Sequence, residues 1–208
     1  MRVKYPRTYH LPWSQGISSD DKIIKSLDAL ESCEIVITEK MDGENTTLYT
    51  DYVHARSLDS QHHVSRDWVK RFQAEIGYLI PKGWRVCGEN LFALHSIHYA
   101  DLKSYFYGFS VWNDQNESLS WDETLEWFEL LGIVPVRQLA RGMFSLDLIN
   151  ETIAGLDPTH QEGVVIRTTG SIKYPDFSKL VCKWVRKNHV QTDEHWSQRE
   201  VIPNLLEV

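Results

Sequence analysis

Apolar positions along the 208-residue chain fall into short β-branched runs and a few helically spaced stripes. Residues 1–19 carry Pro6, Pro12, Gly16 and several serines without periodicity, which predicts an irregular N-terminal segment. Ile23, Ile24, Leu27 and Leu30 then recur at helical spacing, predicting a helix over Asp20 to Leu30. Glu34 to Glu39 contains Ile35-Val36-Ile37-Thr38, the composition of a buried strand. That strand runs into Lys40-Met41-Asp42-Gly43, where the glycine marks a turn, and Thr46 to Thr50 reads as the return strand of a hairpin. A third short strand is expected to end near Ala55-Arg56-Ser57.

Further on, Ser65 has the chemistry of an N-cap for a helix from Arg66 to about Leu79, stopped by Pro81. Trp84 to Glu89 and Tyr105 to Trp112 are strand-like, the second closed by Asn113-Asp114. Ser120 and Glu123 form a capping-box pattern, predicting a helix to about Leu131 with Gly132 at its end. Phe144 to Ala154 reads as another helix, and Gly163 to Arg167 and Leu180 to Arg186 as the last two strands. Hairpin-like strands interspersed with separate helices predict an α+β fold. No repeat or linker divides the chain, so one domain over 1–208 is expected.

Composition narrows the class. Apolar residues at 42% and charged residues at 25% describe a globular chain. No apolar run reaches the ~18 residues of a membrane span, and the start lacks a signal-peptide core. Cys33, Cys87 and Cys182 form neither a disulfide framework nor a zinc pattern, which points to a reducing cytoplasm. A net charge of −7 argues against a nucleic-acid partner. The distribution points the other way: Arg2, Lys4 and Arg7 crowd one end, and Lys179, Lys183, Arg186 and Lys187 crowd another stretch.

Five segments place a charge beside a strand that is otherwise apolar. In Glu39-Lys40-Met41-Asp42-Gly43, a lysine ends a buried strand at a tight turn. To act as a nucleophile it would need its pKa brought from ~10.4 towards ~7–8, by desolvation or nearby cations. Alone, this motif reads as a surface lysine in a hairpin turn. Arg56-Ser57 ends a strand, Gly88-Glu89-Asn90-Leu91 ends another with a carboxylate, and Glu162 directly precedes Gly163-Val164-Val165-Ile166-Arg167. Singly, these are strand-end and turn residues. Lys183 interrupts the apolar run Leu180 to Arg186; if that strand is central, its ammonium needs an anion, and a triphosphate would serve.

Taken in order, the five segments resemble motifs I, Ia, III, IV and V of the covalent nucleotidyltransferases, and most closely the ATP-dependent RNA ligase family. The resemblance spans residues 39–186. It implies an adenylation-domain fold of antiparallel sheets flanked by helices, ATP-grasp-like in outline. It further implies that Lys40 attacks ATP to form lysyl-AMP, while Glu39, Asp42 and Gly43 shape the nucleotide pocket. Arg56 would contact ribose or an end phosphate, and Glu89 the ribose hydroxyls. Glu162 would hold Mg2+ or Mn2+, and Lys183 would neutralise the α-phosphate. The strand Tyr105 to Trp112 resembles the family's base-stacking motif, with Phe109 as the implied ring and Tyr107 second. The implied partner is RNA bearing 5′-phosphate and 3′-hydroxyl ends, with a kinase or phosphatase to prepare them.

Two departures stand out. Val181 occupies a position where many RNA ligases carry a second motif V lysine, and Lys179 lies four residues before Lys183. Only 22 residues follow Arg186, so a short tail over 187–208 is expected instead of an oligonucleotide-binding domain. Arg7 and Arg186 are candidate phosphate or substrate contacts, with Arg2, Lys4 and His10 beside them. A disordered basic arm is the equal alternative for the N-terminal group. His189, Asp193 and His195 fit no metal-ligand spacing, and His62-His63 reads as loop. The competing functions are a DNA ligase, or a nucleotide-binding subunit of a repair complex that does not catalyse alone.

Overall fold

A computed structural model describes residues 2–187 and 200–207. Its elements in chain order are β1 (Tyr9–His10), β2 (Glu34–Lys40), β3 (Glu44–Leu48), β4 (Val53–Ala55), α1 (Asp67–Ile76) and β5 (Arg85–Asn90). There follow β6 (Phe106–Trp112), β7 (Glu117–Ser118), α2 (Trp121–Leu131), β8 (Val134–Pro135), β9 (Gln138–Met143) and α3 (Leu146–Ala154). The last are β10 (Gly163–Thr168), β11 (Ile172–Lys173), α4 (Phe177–Leu180) and β12 (Val181–Val185).

The strands form two sheets. The first runs β1-β12-β10-β2-β9, antiparallel except for β1 against β12. The second runs β11-β7-β6-β5-β3-β4, with β8 added in parallel to β6. In β2, Ile35 and Ile37 face a core that includes Ile149 of α3. Val36 points the opposite way, to a cluster with Met41, Leu91, Trp121 and Val136. Both faces of β2 are therefore covered, which is why its sequence reads as a continuous apolar run. The second sheet packs Leu48, Val86, Phe106 and Val111 against Val69 of α1 and Phe128 and Leu131 of α2.

Local chemistry explains where prediction and structure agree. Ser120 and Glu123 make the reciprocal capping box of α2, and Gly132 ends it at φ 65°. Ser145 caps α3, one residue inside the expected start.

Three expectations are corrected. Asp20 to Leu30 is not helical. Its segment pairs with β1 through His10 N–H to Lys22 O (2.7 Å) and Ile24 N–H to His10 O (2.8 Å). Ile24 and Leu30 are buried, so the apolar spacing is satisfied by a loop laid over the core. Nor is Lys40-Met41-Asp42-Gly43 a hairpin turn: β2 and β3 lie in different sheets, and the turn is the crossover between them. Finally, Ser65 does not cap α1. It sits buried in a 3₁₀ turn (Val64–Arg66), bonded to His63 Nδ1 at 2.7 Å, and the cap position is Arg66.

The N-terminal segment is seated on the body, not a free arm. Val3 N–H donates to the Tyr49 hydroxyl (2.8 Å), and Tyr5 packs edge-on against Phe109, Trp112 and Phe177. Residues 200–207 dock on the loop after β5, with bridges from Pro203 to Ala93 and from Leu206 to Leu102. His189, Asp193 and His195 lie outside the described residues.

Candidate active site

A cavity of about 550 Å³ opens where the two sheets face each other. Its floor follows from register. On the first sheet Lys40 pairs with Gly163, Thr38 with Val165 and Val36 with Arg167, while Lys183 and Val181 of β12 continue the last two rows. Strand side chains alternate faces, so Ile35, Ile37, Val164, Ile166, Cys182 and Trp184 fill the opposite core. Lys40, Thr38, Val165, Arg167, Lys183 and Val181 line the cavity.

Lys40 closes β2 at the crossover. Its Nζ donates to Glu162 Oε2 at 2.7 Å, and Glu162 is only 4% exposed. Burial pulls the Lys40 pKa down, but the fields of Glu162, Glu89 and Asp42 outweigh it, and the ammonium is held above the ordinary lysine range. This corrects the expectation of a depressed pKa: in the protein alone the nucleophile candidate is firmly protonated. Burial pushes the Glu162 carboxyl up, with Lys40 opposing. Glu89 on β5 is pushed up to about 8, by burial first and then by Glu162 and Asp42, against the pull of Lys40. Lys183 is lowered by burial and by Lys40; its nearest counterion is Asp21, with Nζ 3.8 Å from Oδ1.

The crossover itself is tied down. Asp42 Oδ2 accepts from Ser96 N–H (2.8 Å), Ser96 Oγ (2.6 Å) and Ile97 N–H (2.9 Å), and Asp42 N–H donates to the Tyr99 hydroxyl. Asp42 therefore shapes the turn without lining the cavity. Gly43 does line it, and a Cβ there would stand 2.6 Å from Asn90 O and 2.7 Å from Leu91 Cδ2. Asn204 supports the same loop, donating to Leu91 O and accepting from Tyr99 N–H.

Other candidates separate into two groups. Glu39, Arg56, Glu89, Phe109 and Arg7 all line the cavity. Burial raises the Glu39 pKa, with Gln161 and Arg137 opposing. Arg7 donates to Asp20 O at 2.6 Å. Phe109 reaches the cavity through a bulge: Cys87 pairs with Ser110 and Gly88 with Gly108, leaving Phe109 as the extra residue. Tyr107, the second choice, has its hydroxyl bound by Lys103 N–H and does not line the cavity. Arg186 also stays outside it; its backbone N–H holds Glu162 O at 3.0 Å. His10 is buried beside Ser14 and Asp21, so it is a packing residue. Lys179 lies on α4, exposed and paired with Asp176 at 3.0 Å, so it does not replace the lysine absent at Val181. Val181 packs instead with Trp112 and Phe177.

Sequence reasoning missed Asp21, Tyr99, Ser96, Asn204 and the ion pair of Arg66 with Glu44, whose residues also line the cavity. Only the fold brings them to the site. Arg167 was visible at the end of an apolar strand, but no role was attached to it.

The donor set suits a hard divalent cation. Glu162 is buried and Glu89 half-buried, and both carboxylates have raised proton affinity, so each gains from a positive ion. No cluster of three metal-binding side chains occurs among the described residues. Mg2+ commonly takes one or two carboxylates and completes its shell with water and phosphate oxygens.

Two sheets facing across a cleft, with a half-buried lysine at their crossover, define a nucleotidyltransferase-type α+β fold. The chain belongs to the RNA ligase family, whose model matches residues 33–185. No curated protein sequence matches it. Among solved structures, an RNA ligase of Naegleria gruberi with PPi is similar at TM-score 0.59 and 17% identity, over 89% of this chain and 61% of that one. A putative ATP-dependent DNA ligase from Aquifex aeolicus is similar at TM-score 0.57 and 17% identity, over 89% and 50%. An archaeal ATP-dependent RNA ligase is similar at TM-score 0.55 and 14% identity, over 88% and 48%. The chain thus spans about half to three-fifths of the length of these structures.

Proposed function

We propose that this chain is an ATP-dependent RNA ligase domain that works through a lysyl-AMP intermediate at Lys40. The observation that carries the reading is the Lys40 ammonium, 2.7 Å from Glu162 at the wall of a cavity that also holds Lys183, Arg56 and Glu89. ATP would lie with its base between Val165 and Phe109, which come from opposite sheets and pack on the same apolar cluster. Its α-phosphate would then meet Lys183, with Arg56 and Arg7 available to the outer phosphates or to an RNA end. Glu89 would take the ribose hydroxyls, and Glu39 and Thr38 would border the base.

In the first step Lys40 Nζ loses a proton and forms a bond to the α-phosphorus, and the bond to pyrophosphate breaks. The AMP next passes to a 5′-phosphate end, and a 3′-hydroxyl displaces it to make the phosphodiester. Lys183 would stabilise the negative charge that grows on the transferred phosphoryl group. Mg2+ or Mn2+ held by Glu162 would supply further charge at the α-phosphate and loosen the hold of this carboxylate on the Lys40 proton. The substrate ends required are 5′-phosphate and 3′-hydroxyl, so a kinase or phosphatase that prepares them is the expected partner. The free thiols of Cys33, Cys87 and Cys182 fit a cytoplasmic setting. No helix among the described residues is long and apolar enough to cross a membrane.

A DNA ligase is the second reading, favoured by the similarity to the Aquifex aeolicus protein. A partner-dependent nucleotide-binding subunit is a third, favoured by the apolar Val181 in the cavity wall. Incubation with α-labelled ATP and Mg2+ or Mn2+ decides among them. The expected result is a protein-bound label, absent from Lys40→Ala and released by pyrophosphate, that transfers to 5′-phosphorylated RNA in preference to DNA. ATP binding without any label would overturn the autonomous-ligase reading.

A further inference from the structure

Arg167 is a cavity-lining charge whose surroundings the proposed chemistry does not explain. It is 5% exposed, yet it makes no ion pair among the described residues. Its Nε donates to Thr168 O (3.1 Å) and its Nη2 to Leu119 O (2.9 Å) and Gly170 O (3.5 Å), while Trp121 lies under the guanidinium at 5.9 Å. These are neutral acceptors. Nη1 meets no protein acceptor among the described residues, so two directed N–H donors remain on a side chain that lines the cavity. Burial without a carboxylate pulls this guanidinium down to about 10, a sign of how little the protein itself compensates the charge.

Its position says what should compensate it. Arg167 is four residues along β10 from Gly163, the register partner of Lys40, which is roughly 13 Å at strand rise. That is too far for the α-phosphate that Lys40 must reach. The intervening row is Val165, across the cavity from Phe109, the pair read above as the base slot. A base held in that slot would turn an edge of its ring toward Arg167, one row further along the strand.

We infer that Arg167 is a base-recognition residue, its Nη1 donating to an acceptor nitrogen of the purine ring. This rests on reading the cavity as a nucleotide site. A carbonyl-pinned guanidinium is rigid, so the donors are aimed before the base arrives, and a base lacking the acceptor leaves them buried and unmet.

The test uses the full chain carrying Lys40→Ala, which blocks covalent transfer, so that equilibrium binding is measured directly. Dissociation constants are compared for ATP and its 1-deaza, 3-deaza and 7-deaza analogues, with Arg167 intact, with Arg167→Met and with Arg167→Lys. One of the three analogues should bind roughly 10-fold or more weakly than ATP when Arg167 is present. That penalty should vanish in Arg167→Met and shrink in Arg167→Lys. A merely structural Arg167 would weaken all four ligands alike. Penalties unchanged by either substitution, or no ATP binding at all, would overturn the inference. Binding with the expected coupling but no lysyl-AMP in the parent chain would instead count against the ligase reading alone.

Discussion

At one end of the cavity Lys40 meets Glu162 at 2.7 Å, with Glu89 and Asp42 adding to the negative field; at the other end Arg167 meets only backbone carbonyls. Both cations belong to the same face of the same sheet, and both are largely withdrawn from water. The first is over-compensated, so its proton is held tightly. The second is under-compensated, so it still has donors to spend. Under the proposed function, a site that starts its reaction only when its substrate is complete gains from this asymmetry. The Arg167 end is ready to bind, whereas the Lys40 end is unreactive until something draws the carboxylate field away.

The sharpest way to break the comparison is to neutralise the field at Lys40. Glu162→Gln removes the largest charge that raises its pKa, so Lys40 should deprotonate at lower pH than in the parent. Because the same carboxylate is the proposed cation ligand, the rate of lysyl-AMP formation at saturating ATP should fall roughly 100-fold or more. The two effects separate in a pH–rate profile: a lower plateau with its acid limb moved to lower pH. A lower plateau with an unmoved limb would mean that Glu162 does not control the lysine proton.

Next in size is the crossover that presents Lys40. At Gly43 an added methyl would press on the Asn90 carbonyl at 2.6 Å, which is backbone and cannot swing aside. Gly43→Ala should cost about 1–3 kcal/mol in denaturant unfolding. It should also slow adenylation by more than the stability loss explains, since the displaced turn carries the proposed nucleophile. Unchanged stability would show that β3 and β5 separate at this point without cost. Arg167, remote from the crossover, should keep its base selectivity in that variant.

These contrasts were unevenly legible beforehand. The β-branched run of β2, the capping box of α2 and the aromatic strand β6 announce themselves because their causes are local. The crossover did not. A glycine after Lys-Met-Asp signals a turn whether the next strand pairs with β2 or leaves for another sheet, and the contacts that decide it come from Asn90, Leu91 and Ser96. The loop at Asp20 to Leu30 failed for a related reason: helical spacing of Ile24, Leu27 and Leu30 satisfies burial equally well when the backbone hydrogen bonds go to β1. Among site residues, Lys40, Glu89, Glu162 and Lys183 were findable as charges at or within apolar strands. Asp21, the counterion of Lys183, sits in a polar stretch like any other, and nothing local marks it.

The smallest effect sharpens the comparison through pH. Glu89 titrates at about 8 in the folded protein against 4.5 for an unperturbed glutamate. Here folding favours the protonated acid. Between pH 4.5 and 8 the folded state binds more protons than the unfolded one, so this residue makes stability fall as pH rises through that window. Glu89→Gln removes the titration and keeps the shape. Its stability advantage over the parent should grow from pH 5 to pH 9 and reach on the order of 1–2 kcal/mol, discounted for the partial exposure of the side chain. Arg167→Met should show no such slope over the same range, because its guanidinium stays charged throughout. Parallel stability curves for the Glu89→Gln variant and the parent would mean that Lys40 already neutralises Glu89 as well as Glu162, and that the Lys40 end is a balanced cluster and not an excess of negative charge.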